Sequence, residues 1–303
     1  MAVSIEKKYQ KLTDTEHVLL RPGMYVGSIK PHTEEVFLPM KGKDQFQLTE
    51  VTYNPGFLKL FDEIVSNSVD EHKRNAKLNK VKVDIDMATG QISIWDNGGI
   101  PVKIHKEYDE WVPEMIFSNL KAGSNFDDTE DRVVVGTNGV GSTLTNIFSK
   151  EFIIETCDGK KQFVQTFKNN MSERSKAKIT NKKTAFTKIT YLTDFKRFGL
   201  KGINKNHYLM ITKRLIDIAA CNPTLKIFLN DKPIAFRTFK DYASRYVTPV
   251  FYDQSEHWKI GIGHSTTGFK AISFVNSVET KDGGTHVNNI DWQITSYLRD
   301  KIK

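Results

Sequence analysis

The chain has 303 residues, 39% hydrophobic and 26% charged, the balance of an ordinary globular protein and not of a fibrous or disordered one. No apolar run nears the ~20 residues that span a bilayer, and Met1-Ala-Val-Ser-Ile-Glu-Lys-Lys lacks the apolar stretch of a secretory leader, so the protein is expected to be intracellular and not secreted. The net charge of +8 is concentrated: nine Lys/Arg and one acid, Glu173, lie between Lys160 and Lys188.

That length exceeds one small core, so two domains are expected. Cys157 and Cys221 stand alone without metal-binding spacing and read as reduced, buried thiols. In chain order, the first clear element is a helix over residues 57–73. At 100° per residue, Glu63, Asn67, Asp70 and Glu71 fall within about a third of a turn of one another, opposite Phe57, Phe61, Ile64, Val65 and Ser68. The apolar side faces a core and the polar stripe faces something polar. Asparagine is a poor mid-helix residue, and a hard cation held by its amide oxygen together with phosphate and water would explain it; a solvated helix face would explain it equally well.

Residues 81–86 and 91–95 alternate with period 2 about Ala88-Thr-Gly90 and read as a hairpin. The second strand ends in Asp96-Asn-Gly98-Gly99-Ile-Pro101, where a buried carboxylate could accept a hydrogen bond from an exocyclic amine while glycine lets a ligand approach the backbone. A helix is expected over 113–120, then Gly- and Asp-rich sequence over 122–141, in which Gly123-Ser-Asn-Phe-Asp-Asp reads as a mobile loop. The cluster Gly136-Thr-Asn-Gly139-Val-Gly141 opens a helix at 142–148. Successive N–H groups at such a start suit polyphosphate, although neither a P-loop nor a Rossmann fingerprint is present.

Strands follow at 152–156, 163–167 and 187–192, a helix at 207–220 and a strand at 225–229. A domain boundary falls near residue 237, followed by strands at 260–263 and 269–275 and a helix over 291–302. The basic 160–188 segment reads more readily as a solvated, mobile loop than as a DNA contact. No recognition helix or aromatic platform accompanies it.

The Glu/Asn helix, the strand-end Asp-x-Gly and the late glycine loop share the order and spacing of the three nucleotide-site boxes of GHKL ATPases, which the chain resembles over nearly its whole length. Arg21-Pro-Gly-Met-Tyr-Val-Gly27, Phe274-Val-Asn-Ser and Gly283-Gly-Thr-His286 narrow the resemblance to the ATPase region of type IIA DNA topoisomerases. Asn138-Gly-Val-Gly-Ser-Thr-Leu-Thr-Asn-Ile-Phe-Ser149 and Leu60-Phe-Asp-Glu-Ile most resemble the large subunit of T4-type phage enzymes, with the eukaryotic enzymes next.

The resemblance implies an α/β (α+β) two-layer sandwich over residues 1–236 with an N-terminal dimerisation arm, and the start of a transducer domain over 237–303. It implies ATP and Mg²⁺ as cofactors, with Glu63 as general base and Asn67 as metal ligand. Asp96, with Gly98 and Thr187, would hold adenine; Ser124, Asn125, Gly136, Thr137, Asn138, Gly139, Val140 and Gly141 would hold ribose and phosphates. Tyr9 would cross to the partner's nucleotide in an ATP-dependent homodimer.

Implied partners are double-stranded DNA and the cleavage-reunion part of the enzyme, on the same chain or another subunit. His17 and His286 are expected to be structural. Two departures stand out. One residue is missing between Gly98 and Gly99, where alignment from the glycine side would put Trp95 in place of Asp96. The Gln-Thr-Lys that precedes the family's transducer lysine is also absent, so an N-terminal piece with slow hydrolysis is expected. Alternatives of other classes are a nucleotide-gated dimerisation or DNA-binding module with little hydrolysis, and another GHKL ATPase such as a MutL-like one.

Overall fold

A computed structural model describes residues 5, 9–123, 139–234, 236, 238–255, 257–266 and 268–302. Helix α1 (Asp14–Leu20) starts with a reciprocal cap between Thr13 and Glu16. Strands β1 (His32–Leu38) and β2 (Gln47–Tyr53) pair antiparallel. The sequence reading placed no element before residue 57. These short segments lack a long period of their own and are held by neighbours, with Leu38, Val51 and Tyr53 buried against Leu209 and Met210.

Helix α2 (Pro55–Arg74) begins where Asn54 accepts the Phe57 N–H at 3.0 Å and proline occupies the first turn. His72, Lys73 and Arg74 lie in its last turn, against the carbonyl end. Phe57, Leu60, Phe61, Ile64, Val65 and Val69 are buried; each is worth about 1.5–3 kcal/mol of transfer from water.

The strands β3 (Lys80–Ile85) and β4 (Gln91–Asp96) form the expected hairpin. After the small pair β5 (Ile104–His105) and β6 (Glu110–Trp111) come helices α3 (Val112–Ser118) and α4 (Gly141–Ile147), then β7 (Ser149–Cys157), β8 (Lys161–Lys168), β9 (Glu173–Arg174), β10 (Lys178–Asn181) and β11 (Phe186–Thr193). Helix α5 (Lys205–Cys221) crosses over to β12 (Lys226–Leu229), which pairs parallel with β3 and antiparallel with β13 (Lys232–Ile234). The sheet runs β10-β8-β7-β11-β4-β3-β12-β13, with β9 beside β8.

Alternate residues (Ile92, Ile94; Phe152, Ile154; Phe163, Phe167; Ile189, Tyr191) point into one core shared with α2, α4 and α5. Residues 160–188 are thus mostly ordered sheet, and the expectation of a mobile loop is corrected. Lysines on alternate positions hid a strand whose inward partners, such as Ile179, are few.

Beyond residue 237 lie α6 (Phe239–Ala243), the hairpins β14 (Pro249–Gln254)/β15 (Lys259–Gly263) and β16 (Phe274–Val275)/β17 (Val278–Glu279), and α7 (Thr285–Ile302). The expected strand over 269–275 shrinks to Phe274–Val275, with Phe269 exposed, and the last helix starts six residues before the expected 291.

This portion is joined to α5 through Tyr242, which meets an ion pair buried within that helix. Lys213 Nζ donates to both carboxylate oxygens of Asp217 at 2.7 and 2.8 Å, and the Tyr242 hydroxyl donates to Asp217 at 2.7 Å. The lysine sits among the rings of Phe46, Tyr246 and Phe274. A second joint is the β16–β17 turn, where Asn276 and Ser277 have positive φ. Arg214 donates to the Ser277 carbonyl while its Nε donates to Asp62 of α2 at 2.6 Å.

Candidate nucleotide site

Helix α2 presents its polar stripe unevenly. Asn67 is exposed and Glu63 half-buried, whereas Asp70 is turned into the protein at 4% exposure. Lys59, one turn before Glu63, pairs with Oε1 at 2.6 Å. The other oxygen lies so close to Gly141 that a Cβ there would stand 1.6 Å from it. Only glycine at the start of α4 allows the carboxylate to occupy this place.

Helix α4 is polar in sequence yet buried, because its side chains serve as ties. Ser142 donates to the Ile116 carbonyl at 3.1 Å, Thr143 to Asn119 at 2.9 Å, Thr145 to Leu60 of α2 at 3.0 Å, and Asn146 to Phe117 at 3.0 Å. The glycine-box end of α4 is thereby fastened to α3 and its C-terminal cap, and Thr145, further along, ties α4 to the helix that carries Glu63. Ala122 N–H donates to the Gly139 carbonyl at 3.1 Å, and Gly139 takes a positive φ of 59°. Val140 precedes the first turn.

At the far end of the sheet the register lines up Val81, Asp96, Thr187, Thr156 and Phe163 across five strands. Asp96 points to the helix side at 7% exposure, and Trp95 alternates to the other face. Ser68 donates to Asp96 Oδ2 at 2.7 Å and the Gly98 N–H to Oδ1 at 2.9 Å. Burial raises the carboxyl from 3.8 to about 6; the Ser68, Gly98 and Thr187 hydrogen bonds oppose that rise and the Glu71 charge adds to it. The group stays mostly ionised at neutral pH, an acceptor with lone pairs to spare.

Thr156 Oγ1 donates to the Phe186 carbonyl at 3.1 Å and accepts from the Ile100 N–H at 3.1 Å. It lies 3.0 Å from the Thr187 hydroxyl, which must then be the donor, since a hydroxyl has one proton. The shortened glycine box closes against β7: a Cβ on Gly99 would stand 2.2 Å from the Cys157 carbonyl oxygen, and one on Gly98 would stand 2.7 Å from Leu78.

Three residues escaped the sequence reading. Ser68 lies on the apolar side of α2, where a lone hydroxyl at helical spacing signals a buried acceptor, here Asp96. Lys59 was visible as an i, i+4 partner of Glu63. Thr156 carries no local signal, because only strand register brings it to Thr187. Ser124, Asn125, Gly136, Thr137 and Asn138 lie outside the described residues. Tyr9 is 70% exposed in the N-terminal arm, away from any core. His17 bonds the Tyr25 hydroxyl at 2.8 Å and His286 lies 3.2 Å from the Thr280 hydroxyl, contacts that suit structural roles.

A carboxylate-bearing helix set against a glycine turn, stacked on a mixed sheet with a buried aspartate at the end of a central strand, is the plan of a GHKL ATPase. No family model matches the chain. It is 43% identical over 317 residues to a DNA topoisomerase 2 of Acanthamoeba polyphaga mimivirus, an alignment that takes in 99% of the chain and 25% of that protein. Its fold superposes on the crystal structure of the ATPase region of Saccharomyces cerevisiae topoisomerase II with a TM-score of 0.92 at 36% identity, covering 97% of the chain and 81% of that structure. The ATPase and transducer domains of Balamuthia mandrillaris topoisomerase II give 0.93 at 37% identity, covering 99% and 79%.

The chain belongs to the DNA topoisomerase II family and corresponds to its ATPase region. The eukaryotic type is the better match, which corrects the expectation of a T4-type phage subunit. It spans about a quarter of the length of the curated relative it matches.

Proposed function

We propose that the chain binds ATP with Mg²⁺ and hydrolyses it as the gate-closing part of a DNA topoisomerase that passes one duplex through another. The observation that carries this is the pairing, across one helix, of two differently prepared carboxylates: Asp96 buried and bonded by Ser68 and Gly98, and Glu63 half-open against Gly141. The first accepts the adenine amine. The second takes the proton of a water held at the γ-phosphate, and Lys59 orients it.

Phosphoryl transfer asks the protein mainly for positioning and charge neutralisation. The donor set suits a nucleotide: Asp96 keeps acceptor capacity for an adenine amine beyond its bonds to Ser68 and Gly98, and glycine at 141 leaves Glu63 room beside the start of α4. Among the described residues no group of three or more His, Cys, Asp or Glu could hold a metal by itself. Asn67 would therefore share Mg²⁺ with phosphate oxygens and water, and the ion would neutralise developing charge.

In this reading residues 1–236 form the ATP domain and 237–303 begin a transducer. Tyr9 and its arm join two copies when nucleotide binds, and the assembly works on double-stranded DNA with a cleavage-reunion partner inside the cell. Among the described residues no helix is long and apolar enough to cross a membrane. Titration with a non-hydrolysable ATP analogue and Mg²⁺, following heat and mass together, tests the reading. Saturable binding with a monomer-to-dimer shift supports it; no binding at millimolar analogue overturns it.

A further inference from the structure

Nine of the chain's 44 Lys/Arg and one of its 36 Asp/Glu lie in residues 160–188, leaving 35 of each sign elsewhere. The entire net charge therefore sits in one segment, and the fold gathers it at one edge of the sheet. Pairing of β10 with β8 sets Asn181 opposite Lys161, and the Lys182 N–H donates to the Lys160 carbonyl at 3.1 Å. Lys160, Lys161, Lys182 and Lys183 thus share one corner, all exposed, and Lys176 and Lys178 continue along the edge.

Among the described residues these six make no ion pair. Neighbouring cations do: Lys168 with Glu151 at 3.4 Å, Arg174 with Glu114 at 2.9 Å and Lys188 with Glu155 at 3.6 Å. The corner's own acid, Asp158, is engaged by the backbone N–H groups of Lys160 and Lys161, both at 2.8 Å, and of Val102 at 3.2 Å. Lys182 rests over the Phe186 ring at 4.5 Å, which limits its freedom.

Edge lysines also deter strand-to-strand aggregation, and that suffices for Lys176 and Lys178. It does not explain the four corner lysines, which cap turns at the strand ends. No large hydrophobic side chain between residues 157 and 188 is exposed to anchor a peptide. A regular row of negative charges is the complementary surface, and the backbone is already ordered, so little entropy opposes binding.

We propose that this corner and edge form a sequence-independent contact for the phosphate backbone of duplex DNA. The proposal rests on the reading that the protein works on DNA, but not on the nucleotide chemistry. The test is fluorescence anisotropy of a labelled 30-base-pair duplex of arbitrary sequence across a NaCl series. Three proteins are compared: wild type, the Lys160/Lys161/Lys182/Lys183→Gln variant, and a Lys41/Lys43/Lys232/Lys240→Gln control of equal charge.

Each lysine on a phosphate contributes about 0.9 to the slope of log affinity against log salt. The corner variant should therefore show a slope shallower by about 3–4 and at least tenfold weaker binding at low salt, while the control keeps the wild-type slope. ATP-analogue binding, measured on the same samples, should match in all three, which separates failure of this contact from failure of the nucleotide site. Equal effects in both variants, absence of duplex binding by wild type, or binding only to phosphatidylserine vesicles would overturn the proposal.

Discussion

Replacing Asp96 by Asn should move nucleotide affinity and stability in opposite directions. The wild-type carboxyl is raised from 3.8 to about 6 chiefly by burial. The folded state therefore holds this proton more tightly than the unfolded chain. The group's contribution to stability is full below pH 4 and is lost as pH climbs through 6. Two units at 1.36 kcal/mol each make that loss about 3 kcal/mol by pH 7.

Asparagine has no such proton. Its oxygen can keep the Gly98 N–H, and Ser68 can turn to accept from its amide, so both existing hydrogen bonds survive in shape. The stability difference, variant minus wild type, should grow by about 3 kcal/mol between pH 3.5 and pH 7 in urea titrations. Adenine loses a charged acceptor and meets a donor, at a cost of about 1.5–3 kcal/mol, or roughly 10- to 150-fold in Kd. A variant that binds the analogue like wild type would refute the adenine assignment. Parallel loss of stability and affinity at pH 7 would refute the burial argument.

Glu63→Ala should slow single-turnover ATP hydrolysis about 10²- to 10⁴-fold with analogue affinity within about threefold; equal loss of both would remove the base role. Gly99→Ala forces a methyl to 2.2 Å from the Cys157 carbonyl oxygen and should cost about 1–3 kcal/mol in urea unfolding, whereas an unchanged midpoint would mean the shortened box can shift freely. Lys213→Met leaves Asp217, 2% exposed and with its carboxyl already raised by burial, without its counter-charge. A loss of about 3–5 kcal/mol is expected, largely recovered by the Lys213→Met/Asp217→Leu double variant. Equal losses in the single and double variants would show that packing rather than charge makes that joint.

Much of this protein is set by short-range pattern. The 3.6 period of Phe57, Leu60, Phe61, Ile64 and Val65 decides where α2 faces, and period 2 in 81–96 decides the β3–β4 hairpin, because both repeats act through neighbours a few residues away. Glu63, Asn67, Asp96 and Gly141 stand out in the sequence for the same reason: each breaks a local pattern.

Contacts between distant segments were not legible. Gly141 meets Glu63 across 78 residues of chain, and Thr156 meets Thr187 only through the antiparallel register of β7 and β11. The register of β10 on β8 likewise turned an apparent loop of lysines into an ordered edge. Lateral register depends on which side chains fill the shared core, so no window of sequence contains it. The sequence by itself chose the chemical groups; tertiary packing alone decided which of them meet.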